Sequence, residues 1–222
     1  MEKYLLKNKK VYDDLAIEYR NRREKRSEFE ENLDVLGDSV LKYLSKESKL
    51  DIVNVLEIGP GAGQMLEYFE RKNCRTIGIE LSTEMSKIAK SYSPRSIIIN
   101  ANVNDIEFLD NQMDIIYIGA VIHLFPYKDA VKLMVKVSRW LKEDGVIFIN
   151  TTISKKNQEG YFSKRDYKNS EERYRAYWTE SDFEDFVINS GFTLLTKLYT
   201  NEIDRDKKWV ALICRKGEIS EE

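Results

Sequence analysis

The chain has 222 residues, 42% hydrophobic and 33% charged, which suits one α/β domain with extra helices and a heavily solvated surface. A net charge of −2 gives no global attraction to nucleic acid or to an anionic membrane, and no apolar run approaches membrane-spanning length. The segment Met1–Lys7 lacks a signal peptide's apolar core, and Cys74, Cys214 and a single histidine read as a reduced cytoplasmic protein without a disulfide or zinc site.

Residues 1–50 read as helical, without proline or early glycine. Val11, Tyr12, Leu15, Ala16 and Tyr19 share one face of a first helix, and Leu33, Leu36, Val40, Leu41 and Leu44 one face of a second. Between them Arg20–Glu31 is dense in charge of both signs, the pattern of a solvated face. Ile52–Ile58 reads as a short apolar strand, followed by Gly59, Gly61 and Gly63 and then by Met65, Leu66, Tyr68 and Phe69 at helical spacing. A glycine turn between strand and helix lets a ligand approach the backbone closely, beside the positive end of the helix. Thr76–Glu80 is the next strand, with Glu80 at its carboxyl end. An acid about 20 residues past the first glycine is placed to accept hydrogen bonds from ribose hydroxyls; the alternative is a surface carboxylate.

Glu84–Tyr92 predicts a helix ended by Pro94, Ser96–Asn100 a third strand and Asp114–Gly119 a fourth, apolar almost throughout and therefore central. A helix with Ala130, Leu133, Met134, Val137 and Leu141 inward precedes a fifth strand, Val146–Thr151. Strands alternating with helices over residues 51–153 predict a parallel, doubly wound sheet. Residues 154–178 break the alternation with Tyr161, Phe162, Tyr167, Tyr174, Tyr177 and Trp178, and carry seven Lys/Arg against four Asp/Glu. Arg173 and Arg175 are suited to hold a carboxylate or phosphate; the alternative is a satellite hydrophobic cluster. Thr179–Asp182 resembles a capping box, with Phe183, Phe186 and Val187 inward and Gly191 as the stop. Phe192–Tyr199 and Trp209–Cys214 then predict a hairpin whose last strand runs antiparallel.

The dinucleotide fingerprint G-x-G-x-x-G would put its third glycine at Gln64, so a nicotinamide dehydrogenase fits poorly. Glu57, two residues before the first glycine, suits a cationic amino group better than a pyrophosphate. The pattern Glu57-x-Gly59-x-Gly61-x-Gly63 resembles the first motif of the class I S-adenosylmethionine-dependent methyltransferases, and the likeness covers about residues 51–215. It implies a doubly wound seven-stranded α/β sheet, mostly parallel with an antiparallel last strand, and an N-terminal helical lid. In these terms the chain is one methyltransferase domain: lid 1–50, cofactor-binding core 51–153, acceptor-side insertion 154–178, closing helix and hairpin 179–215.

The cofactor implied is S-adenosyl-L-methionine, with no metal. Glu57 lies near its methionine part, and Gly59, Gly61 and Gly63 pass beneath it. Glu80 and Leu81 belong to its ribose side. Asn102 and Val103 meet the adenine, with Asn102 as a helix cap the alternative. Ile118 borders the sulfonium end. Tyr12 and Tyr19, in Tyr12-Asp13-x-x-Ala16-x-x-Tyr19, are similar to the aromatic lid of small-molecule members; the alternative is simple packing. His123, in Val121–Pro126, resembles the stretch bordering the acceptor pocket, and is a catalytic base or a packed ring. Trp140–Gly145 is similar to the family's Leu-Lys-Pro-Gly-Gly turn. The reaction implied is methyl transfer to an O or N atom of a small-molecule acceptor. No Asn/Asp-Pro-Pro-aromatic motif follows the fourth strand and no cysteine lies near Gly119 or Thr151, so nucleic-acid amino-methylation and C5-pyrimidine chemistry fit poorly. A tRNA-modifying enzyme and a non-catalytic cofactor-binding subunit are the alternatives.

Overall fold

The computed structural model describes residues 1–24, 27–44, 52–163, 171–202 and 207–217, with side chains from residue 33 onward in the second helix. Tyr167 and residues 218–222 therefore lie outside the described part. Among the described residues nine strands and six α-helices follow in chain order: α1 (Lys3–Glu24), α2 (Ser27–Leu41), β1 (Asn54–Ile58), α3 (Gln64–Arg71), β2 (Arg75–Glu80), α4 (Thr83–Tyr92), β3 (Ile97–Asn100), β4 (Met113–Ile118), α5 (Tyr127–Trp140), β5 (Leu141–Thr152), β6 (Gln158–Ser163), β7 (Glu172–Tyr177), α6 (Glu180–Asn189), β8 (Phe192–Glu202) and β9 (Lys207–Lys216). Short 3-10 turns occupy Val103–Asp105 and Ile122–Leu124.

The main sheet has seven strands in the order β3-β2-β1-β4-β5-β9-β8. The pairs from β3 to β5 are parallel, and β9 runs antiparallel to both its neighbours. Strand order reverses between β1 and β4, so the chain departs to opposite sides from adjacent strand ends. A crevice at that carboxyl end is where open α/β sheets bind ligands.

Strand alternation divides the core between two faces. Leu56, Ile58, Ile116, Ile118, Ile147 and Ile149 pack under α5 and α6 with Leu133, Trp140 and Phe183. Val55, Ile115, Tyr117, Val146 and Phe148 pack under α2 and α3 with Val40, Tyr68 and Phe69. Two extents differ from the sequence reading. β5 begins at Leu141, which pairs with Met113, and a register irregularity follows before Ile115 pairs with Val146. Within 154–178, β6 and β7 pair antiparallel as a two-stranded sheet separate from the main one. Half of the expected capping box forms: the Asp182 N–H donates to Thr179 Oγ1 at 3.2 Å, but the Thr179 N–H donates to Asn157 Oδ1 at 2.7 Å and not to Asp182. Gly191 follows α6 at φ 88°, the left-handed stop glycine permits. Among the described residues no helix is long and apolar enough to cross a membrane.

The backbone at Gly63 couples α3 to α4. It sits at φ 78°, and a Cβ there would lie 2.8 Å from Ala89 Cα. Gly63→Ala is expected to destabilise the fold by about 2–4 kcal/mol, the combined cost of a left-handed non-glycine residue and of overpacking against backbone. Urea unfolding of the two proteins measures this; equal midpoints would show that α4 can retreat freely.

Candidate active site

The site is assembled at the carboxyl ends of β1 and β2. The Gly59 N–H donates to Ile79 O at 2.8 Å, carrying the β1–β2 ladder one residue past the strand. The chain then turns through Gly59, Gly61 and Gly63, all at positive φ (68°, 55° and 78°). A Cβ at Gly59 would collide with Val121, whereas one at Gly61 would meet nothing within 4 Å. Gly61 therefore faces open space, as a loop approached by a ligand must. Its N–H donates to Glu80 Oε2 at 3.0 Å, and the Ser82 N–H donates to Glu80 Oε1 at 2.8 Å. Glu80 is thus aimed back across the loop. Each carboxylate oxygen accepts more than one hydrogen bond, so these backbone donors are compatible with ligand hydroxyls.

Glu57 and Glu80 are 4% and 7% exposed. Burial pushes the Glu57 carboxyl up to about 8, and the Glu80 charge adds to this; a Leu66 N–H and the Arg23 charge oppose it. Burial also raises Glu80, against the bonds from Ser82 and Gly61. Glu57 Oε2 is buried without a hydrogen-bond partner. An orphaned buried carboxyl oxygen beside an open glycine loop suits a ligand that supplies a cationic N–H donor there. Among the described residues no three His, Cys, Asp or Glu side chains group as metal ligands.

Helix α1 spans this crevice, and polar side chains fasten it at both ends. The buried Asn8 amide donates to Leu124 O at 3.1 Å and accepts from the Tyr174 N–H at 2.8 Å. Asp13 Oδ1 accepts from Ser82 Oγ at 2.7 Å and from the Glu84 N–H at 3.1 Å, at the start of α4. Burial alone would raise Asp13, but Lys9, Ser82 and the Glu84 N–H together hold it below the ordinary carboxylate range. Arg23 donates to Ala62 O at 2.5 Å inside the glycine loop, pairs with Glu67 and lies 3.7 Å above the Tyr92 ring. Tyr12 and Tyr19 stand on the same helix with ring centroids 6.0 Å apart.

The sequence reading gave no role to Asn8, named Asp13 only within the Tyr12–Tyr19 motif, and placed Arg23 on a solvated face, which the structure corrects: Arg23 is buried. The signal was in the spacing. Val11, Leu15, Tyr19 and Arg23 recur every four residues, so Arg23 continues the inward stripe.

Beyond β2, the Ala101 N–H donates to Glu80 O at 3.1 Å, which brings Asn102 and Val103 beside the end of β2 and half-buried Leu81. Asn102 caps the 3-10 turn, its Oδ1 accepting from the Asn104 N–H at 3.2 Å, and Val103 is buried in the core. On the other side, Ile118 ends β4 fully buried. Ala120 turns at φ 59°, its N–H donating to Asn150 Oδ1 at 2.6 Å. His123 is 2% exposed, with Nδ1 3.4 Å from Thr151 Oγ1 and its ring 5.9 Å from Trp209. The β6–β7 pair closes this half: Arg173 donates to the Tyr12 hydroxyl at 2.5 Å, and Arg175 to Thr152 Oγ1 at 2.6 Å.

Residues 56–149 match the family described as a methyltransferase domain. An uncharacterized methyltransferase of Alkaliphilus oremlandii is 26% identical over 163 residues, 72% of this chain and 73% of that protein. The phosphoethanolamine N-methyltransferase of Plasmodium falciparum is 27% identical over 164 residues; the match spans 72% of this chain but 54% of that protein. In fold, the chain is similar to the 1,6-didemethyltoxoflavin-N1-methyltransferase of Burkholderia thailandensis, solved with its acceptor and S-adenosylhomocysteine. The TM-score is 0.70 at 15% identity, covering 94% of this chain and 88% of that one.

The raised Glu57 pKa has a signed consequence. Its contribution to stability is complete below the unfolded value, about 4.3, and is lost as pH rises through about 8. Glu57→Gln, neutral at every pH, removes that loss. The melting temperature of the ligand-free variant is expected to gain on the wild type between pH 5 and 8.5, as read by paired thermal unfolding; parallel curves would mean Glu57 ionises normally.

Proposed function

From the match of residues 56–149 to the methyltransferase-domain family, we propose that this chain is a class I S-adenosylmethionine-dependent methyltransferase that transfers a methyl group to an O or N atom of a small-molecule acceptor. The observation that carries the reading is the buried Glu57 with its unpartnered Oε2, set beside a glycine loop that is open at Gly61 and tied to Glu80. Bound S-adenosylmethionine supplies a methyl group already activated on a sulfonium, so the protein's work is alignment and exclusion of water.

In this reading Glu57 receives the cofactor's amino group, and the backbone of Gly59, Gly61 and Gly63 passes beneath it. Glu80, with Leu81 alongside, takes the ribose hydroxyls. Asn102 and Val103 border the adenine, and Ile118 the reacting end. Tyr12 and Tyr19 cover the site from α1. Asp13 and Arg23 hold that cover against α4 and the loop, so closing α1 and ordering the loop are one event. A small acceptor is favoured because α1 is tied to β7 across this half, through Asn8 with Tyr174 and Arg173 with Tyr12. The names of the Plasmodium and Burkholderia proteins likewise specify small-molecule acceptors.

Where the acceptor must lose a proton, His123 is assigned to take it, held in orientation by Thr151. Nothing in this role is needed to bind the cofactor. His123→Asn is therefore expected to lower kcat about 10²–10⁴-fold while leaving S-adenosylhomocysteine affinity unchanged. An unaltered rate would assign the ring to packing against Trp209.

The loop assignment is tested by thermal shift. S-adenosylhomocysteine is expected to raise the melting temperature and NAD to leave it unchanged. Gly61→Arg fills the open space that only glycine leaves, at a backbone cost of about 1–2 kcal/mol. That variant is expected to fold and to lose the S-adenosylhomocysteine shift. A folded Gly61→Arg protein with normal affinity, or a shift with NAD alone, would overturn the reading.

A further inference from the structure

Strand register places Asn150 on the same face of the sheet as Glu57. Glu57 pairs with Tyr117 on β4, and Tyr117 with Phe148 on β5. Val55, Tyr117 and Phe148 all pack under α2 and α3. Glu57 and Asn150, two residues on from Val55 and Phe148, share that face by strand alternation. Thr151 points to the opposite face, where it meets His123. Tyr117 and Phe148 stack with ring centroids 4.2 Å apart and floor the gap between β1 and β5. Ile118 pairs with Ile149, so the next row toward the carboxyl ends sets Gly119 beside Asn150. Gly119 brings no side chain, which leaves the Asn150 amide as the polar group standing over that floor.

A strained turn orients this amide. Ala120 is exposed and sits at φ 59°, a conformation that non-glycine residues rarely take and that clusters at ligand sites. Its N–H donates to Asn150 Oδ1 at 2.6 Å. The same turn sets Val121 against the glycine loop, where a Cβ at Gly59 would lie 2.4 Å from Val121 Cγ2. The turn after β4 thus joins the end of β5 to the loop after β1. With Oδ1 engaged by Ala120, the orientation of the amide is settled and Nδ2 occupies its other arm. Asn150 is half-buried, and among the described residues Nδ2 has no hydrogen-bond partner. Two N–H donors are therefore held in place and left to a ligand oxygen.

We propose that Asn150 is a further cofactor-binding residue, whose Nδ2 donates to the carboxylate of the cofactor's methionine part while Glu57 takes the amino group. The assignment rests on the methyl-transfer reading for the identity of the ligand. Charge sets the direction. Glu80 stands on the β2 side of Glu57, so the ligand's anionic end is directed away from it, toward β4 and β5. The span fits as well. One strand separates β1 from β5, about 10 Å at the usual spacing. An α-amino acid head with a hydrogen bond at each end bridges atoms about 9 Å apart. A hydrogen bond to a charged group is the stronger kind, so this one contributes measurably to affinity.

The test is calorimetric titration with S-adenosylhomocysteine and with its decarboxylated form, the aminopropyl thioether of adenosine, which keeps the amino group. Asn150→Asp retains an oxygen for the Ala120 N–H but replaces the donor by a second acceptor. N150D is expected to bind S-adenosylhomocysteine about 10-fold or more weakly than the wild type, and the decarboxylated form no more weakly than the wild type does. If N150D fails to melt cooperatively, N150A replaces it. The readout is then the ratio of the two affinities, which a general loosening of the turn would not move. Equal losses for both ligands, or no loss for either, overturn the Asn150 assignment and leave the cofactor reading standing. Wild-type protein that binds neither ligand overturns the cofactor reading, and this assignment with it.

Discussion

The hydrogen bond from the Gly61 N–H to Glu80 Oε2 joins two strand ends that the ladder brings together. β1 and β2 pair in parallel through Ile58 and Ile79, and Gly59 extends the pairing by one bond before the chain turns. The turn is feasible because three residues in five take positive φ without a side-chain penalty. Glu80 then organises both connections, accepting from Gly61 after β1 and from Ser82 after β2. Its position depends in turn on β3, because Asn100 donates to Glu80 O at 2.8 Å and so fixes the backbone from which the carboxylate projects. A ligand that bonds Glu80 is read by three strands at once.

The same loop carries an electrostatic tension. Two carboxyl groups lie buried near each other, with Arg23 as the cation that moderates Glu57. Arg23 comes from α1, not from the sheet. Helix α1 is therefore part of the loop's electrostatics, and moving it away would expose Ala62 O and leave Glu67 without this partner. Asp13 makes a second joint, capping the start of α4 just after Glu80. These polar fastenings give α1 one seat on the crevice, where an apolar stripe alone would tolerate sliding.

The halves of the crevice differ in kind. The β1–β2 half is backbone-rich and acidic; the half beyond β4 and β5 is built from side chains, with His123, Thr151, Thr152 and two arginines delivered by the separate β6–β7 pair. A strand pair outside the main sheet can vary its residues without disturbing the ladder. Such an arrangement lets one sheet scaffold be combined with different walls.

Much of this was fixed locally. The strand–glycine–helix succession, the acid ending β2, the Thr179 cap before α6 and the antiparallel last pair all follow from periodicity and residue type over short windows, because the forces involved act between near neighbours in the chain. Other features depend on contacts between distant segments. That Glu80 bonds Gly61, that Arg23 is buried against Ala62 and Glu67, and that Arg173 and Arg175 meet Tyr12 and Thr152 required the sheet order and the path of α1. No local pattern encodes which charged residue in a run such as Arg20–Glu31 will lie inward unless the helix stripe is followed to its end. The sequence by itself determined the elements and the chemistry of the loop between β1 and α3, since glycine backbone freedom and hydrophobic period are properties of single segments. Only the tertiary structure decided which polar groups are buried together, since desolvation and hydrogen bonding across the crevice depend on where separate elements pack.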